Sequence, residues 1–505
     1  MSAAEAAAGS FAAARAAFEQ VIEFARQAAV DEITHGQLER ELAARMREVT
    51  RVLFQDHLDL REVREERVSA PVADAEGISR NRIERHRRTG LDTVFGPVAV
   101  HRIAYRGDYV HDLHLLDASL NLPEVKASHG LARMAVLEAV RGSFAAATEH
   151  LREACGVKIG SRQVQDLVVH AACDIEAFYA AASPVPAGPD TLLVLTFDGK
   201  GIVMRPDALR EATAKAAAKK GQNTYRTRLA AGEKNGRKRM AEIAAVYDAD
   251  PAVRTGADIL PEPGENEPES APGPVAFNKW LTGSVEHPAA ATVKAAFNQA
   301  TARDPHHTRC WIVLVDGAAH QIELVKAEAK RRRTPVTIIV DFIHVIEYLW
   351  KAAWCLYKNG EPEAEAFVAA YGREILAGRA LAAAAQLGRA AHEAGLEPGQ
   401  RTGIDDAIGY LTGKAPYLAY DKALSNGWPI ATGVIEGACR HLIKDRLDIT
   451  GARWGLDGAE AVLRLRALRS SGDFDAYWAY HEARDYQRNH LARYKNQILP
   501  TTADP

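Results

Sequence analysis

The chain of 505 residues has only five cysteines, Cys155, Cys173, Cys310, Cys355 and Cys439, and no two of them form a CxxC pair. That scatter excludes a zinc ribbon and a disulfide framework and leaves reduced, mostly buried thiols. Long apolar runs are missing as well: none approaches the roughly 18 to 20 residues of a membrane span. The first residues read as an Ala/Glu-rich helix rather than a basic then apolar leader, so a cytoplasmic protein is expected. An excess of positive charge is also absent. The net charge of −3 argues against a uniformly basic nucleic-acid binder.

The remaining composition is that of a globular protein, with 47% hydrophobic and 26% charged residues. A domain size of roughly 100 to 200 residues divides such a length into about three folding units. Charge is unevenly spread. Between Arg205 and Arg239 stand eleven Lys/Arg, including Lys219, Lys220, Arg226 and Arg228, against three acids. An acidic, Pro-rich stretch at 258–274 follows and reads as an exposed loop.

Residues 1–66 carry apolar positions at helical spacing, such as Phe18, Val21, Ile22 and Phe24, then Leu42, Met46, Val49 and Leu53. A pair of amphipathic helices is expected, serving packing or dimerisation. "DTVFGPVAVHRIAYR" alternates around a Gly-Pro turn and predicts a β-hairpin, with His101 and Arg102 at the surface. "FAAATEHLREACGVKIGSRQVQDLVVHAA" predicts a helix ending at Cys155, a turn through Gly156 and Gly160, an N-cap at Ser161 and a second helix from Arg162. Two short helices about such a turn have the form of a helix-turn-helix, in which Arg162, Gln163 and Gln165 would face a DNA groove; otherwise they solvate the helix.

After the linker "SPVPAGPD", apolar strands predict an α/β region. "TLLVLTFDGKGIVM" is read as a strand ending at Asp198, "RMAEIAAVYDADP" as a second, and "CWIVLVDGAAHQIELV" as a third ending at Asp316, preceded by a helix over about 279–300. "TPVTIIVDFIHVIEYLW" is a fourth, passing through Asp341 into a helix that carries His344 and is packed down by Trp350. Residues 361–425 are Ala-rich and helical, and the segment from Gly433 reads as an amphipathic helix with Glu436, Arg440, Lys444 and Arg446. Ligands gather beyond the carboxyl ends of strands in helix-covered sheets. Carboxylates crowded there repel one another unless a cation lies between them, and hard oxygen donors favour Mg²⁺ or Mn²⁺. For any single Asp, a strand-end turn or a helix cap is the plainer reading.

Taken together, "LTFDGKG", "WIVLVDG", "VDFIHVIEYLW" and "GVIEGACRHLIKDRLDITGARWG" resemble the DDE transposases of bacterial insertion sequences, in the Mutator-related (ISKra-type) lineage. The spacings of 118 from Asp198 to Asp316, 25 from Asp316 to Asp341 and 120 from Asp316 to Glu436 suit that lineage. The resemblance implies a multi-domain α/β protein whose ribonuclease H-like core, a mixed sheet with flanking helices, is interrupted by an all-helical insertion. A mostly helical DNA-binding region would precede it. Expected boundaries are 1–90 for the N-terminal helices and 91–182 for the hairpin and helix-turn-helix. The core would occupy 191–351 and 428–470, the insertion 352–427, and a tail 471–505.

The resemblance further implies that Asp198, Asp316 and Glu436 hold two Mg²⁺ ions, with Mn²⁺ able to substitute, and that they catalyse strand cleavage and strand transfer on double-stranded DNA. A homodimer or higher oligomer on DNA, associated with the nucleoid, goes with it. Asp341 and His344 form an auxiliary pair, Asp341 able to cap the helix on which His344 lies. Lys219, Lys220, Arg226, Arg228, Arg440, Lys444 and Arg446 would hold the DNA backbone. Two alternatives stay open: a metal-dependent nuclease of the same fold without strand transfer, and a domesticated DNA-binding protein.

Overall fold

The computed structural model describes residues 11–27, 32–68, 71–184, 187–220, 238–261 and 271–500, with backbone alone at 217–220. Arg226 and Arg228, with residues 221–237 of the basic tract, and residues 262–270 of the acidic stretch therefore lie outside the described residues. The chain forms a multi-domain mixed α/β protein that divides into two units, one of residues 1–178 and 475–505, the other of residues 179–474. The segment expected as a tail is no tail. It carries a helix, Phe474–Asn489, most of which belongs to the first unit.

In the first unit α1 (Ala12–Arg26) pairs with the long α2 (His35–Val63), as the helical spacing predicts. Short strands β1 (Val72–Ala73) and β2 (Ser79–Arg80) precede a hairpin of β3 (Arg82–Thr93) and β4 (Gly96–Arg106). The first hairpin strand begins ten residues before the Asp92 that opens the alternating pattern. Its outer half, "RIERHRRTG", is charged and exposed, so it lacks the apolar alternation that marks a strand in sequence. The buried face of the hairpin packs Leu91, Val98 and Val100 against Leu58 of α2 and against Leu116, within α3 (Leu115–Ser119).

Arg102 departs from its expected surface position: it is 5% exposed and its Nε lies 2.6 Å from Asp117 Oδ1. A guanidinium survives burial only beside a counter-charge, and Asp117 comes from a helix whose position no local pattern reveals. Helices α4 (His129–Arg141), α5 (Phe144–Cys155) and α6 (Ser161–Ala171) follow. Gly156, at φ 69, closes α5 in the left-handed conformation that glycine tolerates. The N-cap of α6 is Gly160 rather than Ser161, because Gln163 Oε1 reaches back to accept its N–H at 2.9 Å. Gln163 is therefore spent on the cap. Arg162 pairs with Asp166 at 3.1 Å on the exposed face, and Gln165 is half-buried.

The second unit, entered through α7 (Ile175–Ala181), is built on a five-stranded sheet of order β7-β6-β5-β8-β9. The strands are β5 (Leu192–Val203), β6 (Lys238–Ala249), β7 (Ala276–Ser284), β8 (Trp311–Val315) and β9 (Thr337–Val340). Strand β6 runs antiparallel to β5 and β7, while β8 and β9 run parallel to β5. The sheet is thus mixed. Between β5 and β6, α8 (Glu211–Lys220) carries Lys219 and Lys220 on its backbone. Strand β7 takes the place of the first six residues of the expected 279–300 helix, since "AFNKWLTGS" completes an edge against β6. Helix α9 (Ala289–Arg303) then starts after Pro288.

Helix α10 (Ala319–Arg332) links β8 to β9, and α11 (Phe342–Ala353) leaves β9, with Trp350 stacked on Trp354. The helical insertion comprises α12 (Pro362–Leu376), α13 (Ala380–Glu393), α14 (Thr402–Lys414) and α15 (Tyr420–Ser425). The final segment is less regular than its amphipathic pattern predicts. A short α16 (Gly433–Ala438) runs into a π-helical turn over Cys439–Lys444, and α17 (Leu456–Ser470) begins only after an irregular stretch containing two glycines. The last helix, Phe474–Asn489, is α18. Among the described residues no helix is long and apolar enough to cross a membrane.

Replacing Asp117 by Asn leaves Arg102 buried without its counter-charge. The expected result is a loss of about 3 kcal/mol of stability, read as a lower urea midpoint with unchanged slope.

Candidate active site

The sequence spacing of the acids is the register of the sheet. Thr196 of β5 pairs with Leu314 of β8, an offset of 314 − 196 = 118. Asp198 and Asp316 differ by the same 118. Val315 of β8 pairs with Val340 of β9, an offset of 25, which also separates Asp316 from Asp341. The three aspartates thus occupy one rung across three neighbouring parallel strands, which are spaced about 4.8 Å apart. Asp198 does not end its strand: β5 continues to Val203, and the rung falls where β8 and β9 stop.

Asp341 is fully buried and is the N-cap of α11, its Oδ1 accepting the Ile343 N–H at 2.6 Å. Its Oδ2 accepts the Thr432 N–H at 2.8 Å and also the Thr432 hydroxyl. The Thr432 oxygen lies 3.3 Å from Glu436 Oε1. The cap reading of Asp341 therefore holds, and the same side chain fixes the turn that presents Glu436. His344 follows one turn later, a third exposed, with Nδ1 3.9 Å from Asp341 Oδ2 and without a hydrogen-bond partner.

Glu436 is exposed on α16, and one turn further on Cys439 Sγ contacts Asp198 Oδ2 at 2.8 Å. Cys439 thereby ties the end of α16 to Asp198, while the Glu436 carboxylate lies beside Thr432, toward the Asp341 end of the rung. Burial, then the Asp198 charge, push the Cys439 thiol upward, which keeps it a neutral donor to that carboxylate. Arg440 and Lys444 are exposed on the π-helical turn, but Arg446 is not available to a DNA backbone. It is 3% exposed, its guanidinium 4.6 Å from the centre of the Trp454 ring.

Sequence reasoning missed four contributors. Glu242 on β6 faces Gly199 across the strand pair, and Gln321 Nε2 donates to its Oε1 at 3.1 Å. Burial raises the Glu242 carboxyl to about 7, opposed by the Gln321 hydrogen bond and reinforced by the Asp198 and Asp316 charges. A single acid inside the otherwise apolar "AEIAAVY" was the available signal. Cys439 and Thr432 act through the contacts above. Tyr410 of α14 donates its hydroxyl to the Asp316 carbonyl at 3.0 Å and stacks on Tyr348 at 4.1 Å, and nothing in the sequence marks it. Gly317 makes room for this phenol: its φ is 93, and a Cβ there would meet the hydroxyl at 2.5 Å.

The donor set is one of hard oxygens. Asp198, Asp316 and Glu436 offer carboxylates from three separate elements, and the charges of Asp198 and Asp316 add to burial in raising the neighbouring Glu242 carboxyl. Such a field is relieved by a divalent cation of the Mg²⁺ type.

Residues 32–181 match the model of an uncharacterised protein family, UPF0236. The UPF0236 match takes in α2, the hairpin and helices α3 to α7, and ends before β5, so the acids lie outside it. No curated protein matches the chain.

Two outcomes follow. Because the folded Glu242 carboxyl binds its proton up to about 7 and the unfolded one only to 4.5, this group favours the folded state at low pH. Its contribution, up to about 3 kcal/mol, is lost as pH rises between those values. In chelator, Glu242→Gln is expected to flatten that fall in melting temperature. Gly317→Ala, strained in backbone and blocked by Tyr410, is expected to cost about 2 kcal/mol or more in thermal unfolding.

Proposed function

We propose that the protein is a DDE transposase that binds the ends of its insertion sequence and performs metal-dependent cleavage and strand transfer of double-stranded DNA. The observation that carries this reading is the rung: Asp198 and Asp316 at one register level on adjacent parallel strands, with Glu436 tied to the same level through Thr432 and Asp341. The mixed five-stranded sheet, with helices α12 to α15 standing between it and the Glu436 helix in sequence, supports a ribonuclease H-like core. The α5–α6 pair, with Arg162 exposed at the start of α6, supports a DNA-binding role for the first unit.

In this reading Asp198, Asp316 and Glu436 would hold two Mg²⁺ ions, which would supply Lewis-acid stabilisation of the charge that develops on the scissile phosphodiester. Asp341 positions Glu436 and is no metal ligand: both its oxygens are engaged with backbone and hydroxyl donors. His344, whose buried Nδ1 faces Asp341, would be an auxiliary residue, its third-exposed ring contacting the phosphate or shifting protons near it. Arg440, Lys444, Lys219 and Lys220 would hold the DNA backbone.

Asp198→Ala is expected to lower Mg²⁺-dependent cleavage of an end-containing duplex by at least roughly a thousandfold, about 4 kcal/mol of transition-state stabilisation. Binding of that duplex in a gel shift stays near the parent value. Undiminished cleavage would sink the assignment, and cleavage without joined products would favour a nuclease.

A further inference from the structure

A second cluster of metal-binding side chains lies in the first unit, where α6 meets α18. His170 Nε2 is 3.1 Å from Asp485 Oδ2, and His481 Nε2 is 3.8 Å from the same oxygen. All three ligand atoms lie within 4.8 Å of one another. Donors at about 2.0 to 2.1 Å around a tetrahedral zinc ion are roughly 3.3 Å apart, and the two observed separations bracket that value.

The surroundings prepare these atoms. His481 is 2% exposed, and its other ring nitrogen, Nδ1, is bound to Asp174 Oδ2 at 2.7 Å. That carboxylate fixes the tautomer and leaves the Nε2 lone pair free, as an outer carboxylate does for a metal-bound imidazole. Arg488 holds Asp485 Oδ1 at 2.6 Å and both oxygens of Asp174, so Asp485 Oδ2 is the oxygen left for an ion. With Asp174, Asp485 and Arg488 charged and both imidazoles neutral, the group has a net charge of −1; the hydrogen bond to Asp485 raises His170, so an ion competes with a proton there. A cavity of about 120 Å³, lined among others by Glu124, His129, His170, His481 and Asp485, opens onto it and provides a fourth ligand position. The overlapping set of Cys173, Asp174 and His481 is the poorer candidate. Burial holds the Cys173 thiol at about 11, so it stays protonated, and Arg488 fills the Asp174 carboxylate.

We infer that His170, His481 and Asp485 bind one Zn²⁺ ion, with water from the cavity as fourth ligand. The ion replaces the His170 to Asp485 hydrogen bond, and the displaced ring proton leaves to solvent or moves to His170 Nδ1. It cross-links α6, the second helix of the helix-turn-helix form, to α18, more than 300 residues later in the chain. The role is structural: it fixes α6 from behind. It does not depend on the transposase reading.

The test uses the full chain, stripped with chelator and titrated with Zn²⁺ and with Co²⁺. The parent is expected to take up one equivalent of Zn²⁺, to gain the strong visible absorption of tetrahedral Co²⁺, and to melt at a higher temperature with Zn²⁺ present. Asp198→Ala is expected to retain all three, which separates this site from the acids of the sheet. His170→Ala and His481→Ala are expected to lose them. Should His481→Ala fail to fold, the half-exposed His170 decides the matter, with far-UV circular dichroism as the fold control. Absence of uptake by the parent, or unchanged uptake and Co²⁺ absorption in His170→Ala, overturns the inference.

Discussion

One buried carboxyl group organises the acidic end of the five-stranded sheet. Asp341 has no exposure, and it accepts hydrogen bonds from the Ile343 N–H, the Thr432 N–H and the Thr432 hydroxyl. A carboxyl group persists in such a place only when its oxygens are satisfied, and here the donors come from two segments 91 residues apart. Helices α12 to α15 lie between those segments in sequence. Without this link they would separate Glu436 from the strands that carry the other acids.

The remaining parts of the site are in electrostatic tension. Asp198 and Asp316 share a rung, burial and then their charges raise the Glu242 carboxyl, and the Cys439 thiol donates to Asp198. Local structure holds the groups in place against that repulsion. The Asp316 side chain accepts the Ala318 N–H at 2.7 Å, its carbonyl accepts the Tyr410 hydroxyl, and Gly317 lets the two chains approach. The insertion therefore contributes a wall to the site as well as length to the chain.

Buried charge pairs recur in both units. Asp248 of β6 binds Arg309 at 2.7 Å and Arg303 at 3.4 Å, and Arg309 also donates to the Thr191 and Leu192 carbonyls, which anchors the start of β5 beside β8. Arg80 binds Asp74, and Arg102 binds Asp117, beneath the hairpin. Breaking such a pair leaves an uncompensated charge, so each one fixes relative position more than it adds net stability.

The apolar runs of β5, β6, β8 and β9 determined their strands, because strands buried on both faces must be apolar throughout. The 118- and 25-residue spacings already encoded the rung, although only the pairing register showed that they did. Strand β7 and the outer half of β3 were not legible. One has mixed polarity at a sheet edge, the other is a charged ribbon, and local pattern reports only burial on a regular face. The fates of Arg102 and Arg446 were likewise decided by tertiary structure, because a cation's burial depends on an acid or a ring brought from elsewhere. So were the roles of Glu242, Thr432 and Tyr410. Sequence by itself set which residues could carry the chemistry, through composition and spacing along single strands. Only the packed fold decided which of them meet, because hydrogen bonds and charges act through space, not along the chain.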